Sequence, residues 1–250
     1  MKNGSSQVGF SQRVQLAWLD YTAGLVLAGK EKATINDALQ DYLKDKLSVG
    51  GLAVRGTREK VITILMKIWA IPPDHLQGLR DDGLALLRRL PSSDHTAIHW
   101  GMTMAVYPFW GTVAETVGRL LRLQKDVGGA QVQRRIREQF GERETVARAA
   151  RRVLRSFIDW GVLVEGSKKG VYRAANPVIV GDPAMYRWVI EAFLATHAPE
   201  WQSLATLDKH PSLFPIAVDR ATTALLDASP RVEVVRHGLD QEMARYVVAK

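Results

Sequence analysis

The chain has 250 residues, of which 46% are hydrophobic and 24% charged, a composition typical of a folded globular protein and not of a disordered or fibrous one. It contains no cysteine, which excludes disulfides and thiolate metal sites and fits a cytoplasmic protein. It has no apolar run long enough to cross a membrane, and its formal net charge is +8.

The first half of the chain is predicted to be helical. Residues 1–12 have no apolar periodicity and are expected to be a disordered N-terminus. Residues 13–125 carry apolar residues at helical spacing, and prolines divide them into about five to seven segments. The first segment is expected to break near Gly24, the second to begin at Thr34 and the third at Thr57. These features predict an N-terminal helical bundle over 13–125.

The pattern changes after residue 125. A short helix is expected to end at Gly141, and the sequence RETVARAARRVLRSFIDWGVL then predicts a strongly amphipathic helix. Two short apolar runs follow, flanking the loop sequence GSKKG, which is typical of a β-hairpin. Helix, tight turn, helix and hairpin is the order of a winged helix-turn-helix, predicted over 126–178.

The last segment, 179–250, is predicted to be a helical C-terminal region. One helix is expected to begin at the cap Asp182 followed by Pro183, and another is expected over 216–228. Residues 231–248 fit either a hairpin or a strand followed by a helix. The predicted fold class is therefore mostly α, with an N-terminal bundle, a central winged helix-turn-helix with a short β-hairpin wing, and a helical C-terminal portion.

The excess positive charge lies in one part of the chain. Between Arg119 and Arg173 there are 14 Lys and Arg against 6 Asp and Glu, whereas the other 195 residues hold 20 of each sign. Such a concentration is expected of a surface that contacts nucleic acid. An acidic protein partner and an anionic membrane surface are the alternatives.

The arginines of the amphipathic helix share one face. Arg148, Arg151, Arg152 and Arg155 fall at i, i+3, i+4 and i+7, opposite the apolar face and with no acid between them. Such a row can bond phosphates or read guanine edges, although many arginine rows are only solvated faces. The preceding helix and the hairpin tip would add flanking contacts. The predicted DNA-binding residues are Arg134, Arg135, Arg137, Arg143, Arg148, Arg151, Arg152, Arg155, Lys168, Lys169 and Arg173.

No catalytic, cofactor-binding or metal-binding residues are predicted. The segment Gly51–Arg58 has the glycine spacing of a phosphate loop, but Thr57 and Arg58 stand where Lys and Ser or Thr belong. His95 and His99 are spaced to face one metal ion on a helix, but no third ligand is evident, so structural roles are expected. The chain is therefore expected not to be an enzyme, and its seven tryptophans are expected to pack in the core.

One resemblance bears on the cellular role. The segment HWGMTMAVYPF, the helix WGTVAETVGRLLRL after it, and a winged helix that closes on DWGVL resemble the BrxA family of BREX phage-defence systems. The likeness involves Trp100, Tyr107, Pro108 and Phe109 and the order of elements from about 57 to 165. It implies a bundle similar to the antitermination factor NusB and a non-enzymatic, DNA-binding accessory protein of antiviral defence. Because of the likeness to an antitermination factor, the resemblance also implies RNA binding as an alternative to DNA binding.

The leading hypothesis is that the protein binds double-stranded DNA as an accessory or regulatory subunit of a phage-defence system. Its expected partners are DNA and other subunits of that system, and no membrane. The alternative is an assembly subunit whose winged helix docks on a partner protein, or an RNA-binding factor similar to NusB. Binding to DNA would be strongly salt-dependent, because displaced counterions drive it.

Overall fold

The fold is known from a computed structural model that describes residues 8–47, 56–217, 222–237 and 241–248. It is mostly helical, and 61% of the described residues lie in helices. The helices are α1 (Leu16–Leu27), α2 (Lys32–Tyr42), α3 (Thr57–Leu65), α4 (Gln77–Arg89), α5 (Ser92–Val106), α6 (Pro108–Leu123), α7 (Gly129–Phe140), α8 (Glu144–Asp159), α9 (Pro183–Thr196), α10 (Leu204–Leu207) and α11 (Thr223–Leu226). No helix of these described ranges is long and apolar enough to cross a membrane.

In the described part of the chain the strands are short and form three small sheets. They are β1 (Val127–Gly128), β2 (Leu163–Glu165), β3 (Val171–Ala174), β4 (Val178–Ile179), β5 (Gln202–Ser203), β6 (Ile216–Ala217), β7 (Val232–His237) and β8 (Gln241–Tyr246). One antiparallel sheet has the order β1-β3-β2, another has the order β5-β8-β7, and β4 pairs with β6 in parallel. Val127 lies opposite Tyr172 in the first sheet, and Val234 lies opposite Ala244 in the second.

Two helices, α5 and α9, lie at the centre of the molecule. Both are buried around most of their circumference, as expected of helices that are apolar on all sides. Helix α9 approaches α4 and α5 closely because Gly83 and Gly101 leave room for the ring of Trp188; a Cβ at either glycine would lie within 3 Å of that ring. One continuous core contains buried residues from all three predicted segments.

Aromatic side chains join this core to α8. The indoles of Trp100, Trp110 and Trp160 pack with centroid separations of 4.7 to 6.1 Å, and Phe157 lies 4.7 Å from two of them. The prediction that the tryptophans pack in the core is confirmed for six of the seven. Those buried are Trp18, Trp69, Trp100, Trp110, Trp160 and Trp188, and Trp201 is partly exposed.

Several predicted helix ends differ from those observed. Helix α1 runs through Gly24 without a break and ends before Gly29, whose φ of +67° favours glycine. The caps of α2 and α3 are Glu31 and Gly56, each one or a few residues before the predicted threonine. A single exposed glycine therefore weakens a helix without ending it when the flanking turns are packed.

The C-terminal region is less helical than predicted. The segment predicted as a helix over 216–228 contains β6 and the four-residue α11, with 218–221 outside the described residues. Of the two alternatives for residues 231–248, a hairpin or a strand followed by a helix, the structure shows two strands, with β7 pairing antiparallel to β8. Asp182 caps α9 as expected, its carboxylate accepting a hydrogen bond from the backbone N–H of Met185 at 2.8 Å.

The N-terminus is ordered from residue 8, which corrects the prediction of disorder through residue 12. Phe10 is fully buried against Tyr107 and Trp110, and Val14 is also buried. An isolated apolar residue in a polar stretch gives no periodic signal. The side chains that bury Phe10 are distant in sequence, so the local pattern does not predict its burial. Residues 1–7, and residues 51–55 of the glycine-rich segment, lie outside the described residues.

Helix α6 packs closely on the turn at 211–213, and this contact can be tested at one glycine. A Cβ at Gly118 would clash with the carbonyl oxygen of Pro211, so Gly118→Ala is expected to cost about 1–3 kcal/mol. A Cβ at Gly24 meets nothing within 4 Å, and Gly24→Ala is expected to stabilise the protein by about 0.5–1 kcal/mol. Urea unfolding measures both changes, and an equal effect of the two variants would contradict the packing.

Candidate nucleic-acid interface

Helix α8 has a sharply divided surface. It begins after Arg143, whose backbone is extended, and carries Glu144 in its first turn, where a negative charge suits the helix dipole. Its apolar side is buried as predicted, by Val146, Ala149, Ala150, Val153, Leu154 and Phe157. The opposite side exposes Arg148, Arg151 and Arg155. The burial of one side fixes which arginines face solvent.

Two of these arginines differ from the third in their surroundings. Arg151 and Arg155 make no hydrogen bond or ion pair within the described residues. Arg148 lies 3.9 Å from the carboxylate of Glu144, an exposed pair that contributes little to stability. Arg151 and Arg155 are one turn apart and point the same way, so their guanidinium groups can bind two anionic groups together.

Arg152 does not belong to this exposed set. It is partly buried, and its Nη1 donates a hydrogen bond to the backbone carbonyl of Ser11. Burial lowers the pKa of Arg152, and the nearby Arg148 and Arg151 act in the same direction. Helical spacing predicts that Arg152 lies in the exposed row. This prediction is wrong because the N-terminal segment, whose position cannot be inferred from spacing, covers that side of the helix.

The cations of α7 are paired with acids on or beside the same helix. Arg134 and Arg135 lie 3.7 and 3.3 Å from Glu138, and Arg137 lies 3.4 Å from Glu142. Arg143, in the turn to α8, donates to the carbonyl of Phe140 at 3.3 Å. These groups are on the surface, but their charge is partly offset by neighbours.

The hairpin that follows α8 carries a basic tip. Its loop closes through a hydrogen bond from the N–H of Gly166 to the carbonyl of Val171 at 2.8 Å, and Gly170 has a φ of +79°. Lys168 and Lys169 are exposed and have no hydrogen-bond or ion-pair partner in the described part of the chain. The loop therefore presents two unpaired ammonium groups.

Arg173, farther along the hairpin, is tied to the strand before α7. Its Nε lies 2.5 Å from Asp126, and this contact lowers the pKa of Asp126 and raises that of Arg173. The bond joins the hairpin to β1. Among the predicted DNA-binding cations, four have no hydrogen-bond or ion-pair partner within the described residues and are here called the unpaired cations: Arg151, Arg155, Lys168 and Lys169.

A polar cluster outside this surface contains the two histidines singled out by spacing. Asp20 from α1 supplies the third group, its Oδ1 lying 2.7 Å from His95 Nδ1 and 3.0 Å from His99 Nε2. Trp69 donates its indole N–H to His99 Nδ1 at 3.1 Å. Asp20 is 75 residues from His95 in sequence, so no local spacing indicates it.

The hydrogen bonds of this cluster indicate a structural role. Because Nδ1 of neutral His99 accepts from Trp69, its proton lies on Nε2 and is donated to Asp20, which leaves no lone pair there for a metal ion. Burial lowers the pKa of His99 and keeps it neutral. Burial also acts to raise the pKa of Asp20, but the bonds from His99 and His95 outweigh it and hold that pKa below its usual range.

A second buried charged cluster lies between α4, α9 and the start of β7. Glu191 is almost fully buried in α9, and Arg231 donates to its Oε2 at 2.8 Å. Arg231 also pairs with Asp82, and Arg187 lies 3.6 Å from Glu191. Each charge has a partner, so the cluster binds the C-terminal sheet to the helices.

Neither the protein-family models, nor the curated proteins, nor the solved structures yield a match to this chain.

Proposed function

We propose that residues 127–174 form a winged helix-turn-helix that binds double-stranded DNA. Helices α7 and α8 are separated by only three residues, and α8 leads directly into the hairpin of β2 and β3. Strand β1 precedes the helix pair and joins the hairpin as a third strand. This order supports the proposal, because the sheet holds the basic loop at a fixed position relative to α8.

The observation that carries the proposal is the set of unpaired cations. Most other predicted cations have an acidic partner or a backbone carbonyl, whereas these four are exposed without one in the described residues. Their charge is therefore available to a polyanion. Phosphate contacts of this kind supply affinity and orientation, whereas sequence reading requires base contacts.

The cellular role we propose is that of an accessory DNA-binding subunit of bacterial phage defence, which acts without catalysis. Its support is the resemblance of the segment from Trp100 to Phe109 to the BrxA family. In this chain Trp100, Tyr107 and Phe109 are buried. The likeness therefore concerns core packing, and the inferred DNA contact rests on the cations.

Docking on a protein is the second candidate. Leu123, at the end of α6, is 83% exposed beside a cleft of about 280 Å³ between α6 and α7. The charged residues that line this cleft are Arg119 and Arg135. An apolar floor with basic walls suits an acidic peptide segment better than a nucleic-acid backbone.

A salt titration separates the two candidates. If the four unpaired cations each contact a phosphate, affinity for a mixed-sequence duplex is expected to fall about 100-fold between about 50 and 200 mM salt. Fluorescence anisotropy with labelled duplex DNA measures this, with single-stranded RNA and polyglutamate as comparison ligands. No binding at the lower salt, or equally strong binding of polyglutamate, would contradict a DNA-specific surface. Tighter binding of the RNA would favour the alternative of an RNA-binding factor similar to NusB.

A further inference from the structure

The N-terminal segment 8–15 lies along α8 and is bonded to it at several points. The N–H of Val14 donates to Ser156 Oγ at 2.9 Å, and the indole N–H of Trp160 donates to the carbonyl of Val14 at 3.0 Å. Arg152 donates to the carbonyl of Ser11. The buried Phe10 anchors the same segment. The segment is therefore a fixed neighbour of the arginine helix.

This segment brings a cation to the acid at the end of α8. Asp159 follows Arg148 by eleven residues and Arg155 by four, which places all three on one side of the helix. Arg13 donates to both carboxylate oxygens of Asp159, from Nε to Oδ2 and from Nη2 to Oδ1. The Asp159 side chain is 15% exposed and that of Arg13 is 53% exposed.

We propose that Arg13 is a further residue of the DNA-binding surface, where it neutralises Asp159 and leaves Arg155 free for phosphate. Asp159 lies one turn from Arg155, at the spacing of a helical ion pair. Without Arg13, its carboxylate would therefore compete with the ligand for the Arg155 guanidinium. Arg13 also adds its own exposed guanidinium edge, since its Nη1 has no hydrogen-bond partner within the described residues. This inference rests on the proposed function and assigns Arg13 mainly a positioning role.

Three variants test it: Arg13→Ala, Asp159→Asn and the double variant, each titrated with duplex DNA as above. Arg13→Ala is expected to lower affinity about tenfold, the size of one lost charge-assisted contact. Asp159→Asn breaks the same ion pair but removes the competing charge, so its affinity is expected to equal or exceed that of the wild type. The double variant is expected to recover most of the loss. Lys30→Ala, which removes an exposed cation outside the arginine segment, is the control.

The outcomes are distinct. Equal losses in Arg13→Ala and Asp159→Asn would show that the pair only supports the fold, and no loss in Arg13→Ala would remove Arg13 from the surface. Either result overturns this inference while wild-type DNA binding stands. Absence of wild-type binding overturns the proposed function, and this inference with it.

Discussion

Replacing Arg151 and Arg155 together by glutamate is expected to lower affinity for duplex DNA at least about 100-fold, because each change removes a charge-assisted contact and adds a repulsive charge. Both side chains are exposed and have no partner within the described residues, so reversing their charge is expected to leave the fold unchanged. Arg152 is left unchanged because its hydrogen bond to Ser11 supports the N-terminal segment. Anisotropy titration at low salt measures the loss.

The control for this variant has the same change in net charge at another place. Lys30 and Lys32 are exposed near the start of α2, and Lys30→Glu/Lys32→Glu alters the charge equally. If net charge alone governed binding, both double variants would lose affinity equally, and the local surface would be excluded. Circular dichroism spectra that match the wild type show that either loss is one of binding.

Arg231→Met is expected to destabilise the protein by about 3–5 kcal/mol, the largest effect on stability that we predict. The substitution keeps an unbranched side chain but leaves the buried Glu191 without its 2.8 Å partner. Arg187, at 3.6 Å from Glu191, compensates only in part. Denaturant unfolding monitored by circular dichroism gives the free energy of unfolding.

Two further variants give this measurement a reference. Arg236 lies in the same strand region and pairs with Glu242 at 3.7 Å on the surface, so Arg236→Met is expected to cost less than about 1 kcal/mol. Adding Glu191→Leu to Arg231→Met removes the uncompensated charge and is expected to restore much of the loss. A small effect of Arg231→Met alone would mean that Glu191 finds another partner.

Local sequence signals predict several elements correctly in and beside the segment 126–178. The end of α7 before Gly141, the cap of α9 at Asp182 and the loop between β2 and β3 were all predictable. Each depends on residues within a few positions of one another. The buried and exposed sides of α8 were predictable for the same reason, since helical spacing fixes them.

Contacts between distant residues could not be predicted. Asp20 completes a cluster with His95 and His99, and Ser11 binds Arg152 across 141 positions of the sequence. A row of arginines on a helix gives the direction of each side chain but not the neighbour it meets. The structure therefore leaves the amphipathic pattern intact and changes which cations are available, removing Arg152 from the row and bringing Arg13 beside it.

The tryptophan cluster gives α8 an intrinsic optical reporter. Trp160 is five residues from Arg155 on the chain, and its indole packs on those of Trp100 and Trp110. Indoles at such separations exchange excitation energy, and their emission depends on the polarity and rigidity around them. A ligand that shifts α8 is therefore expected to change the intrinsic fluorescence of the unlabelled protein.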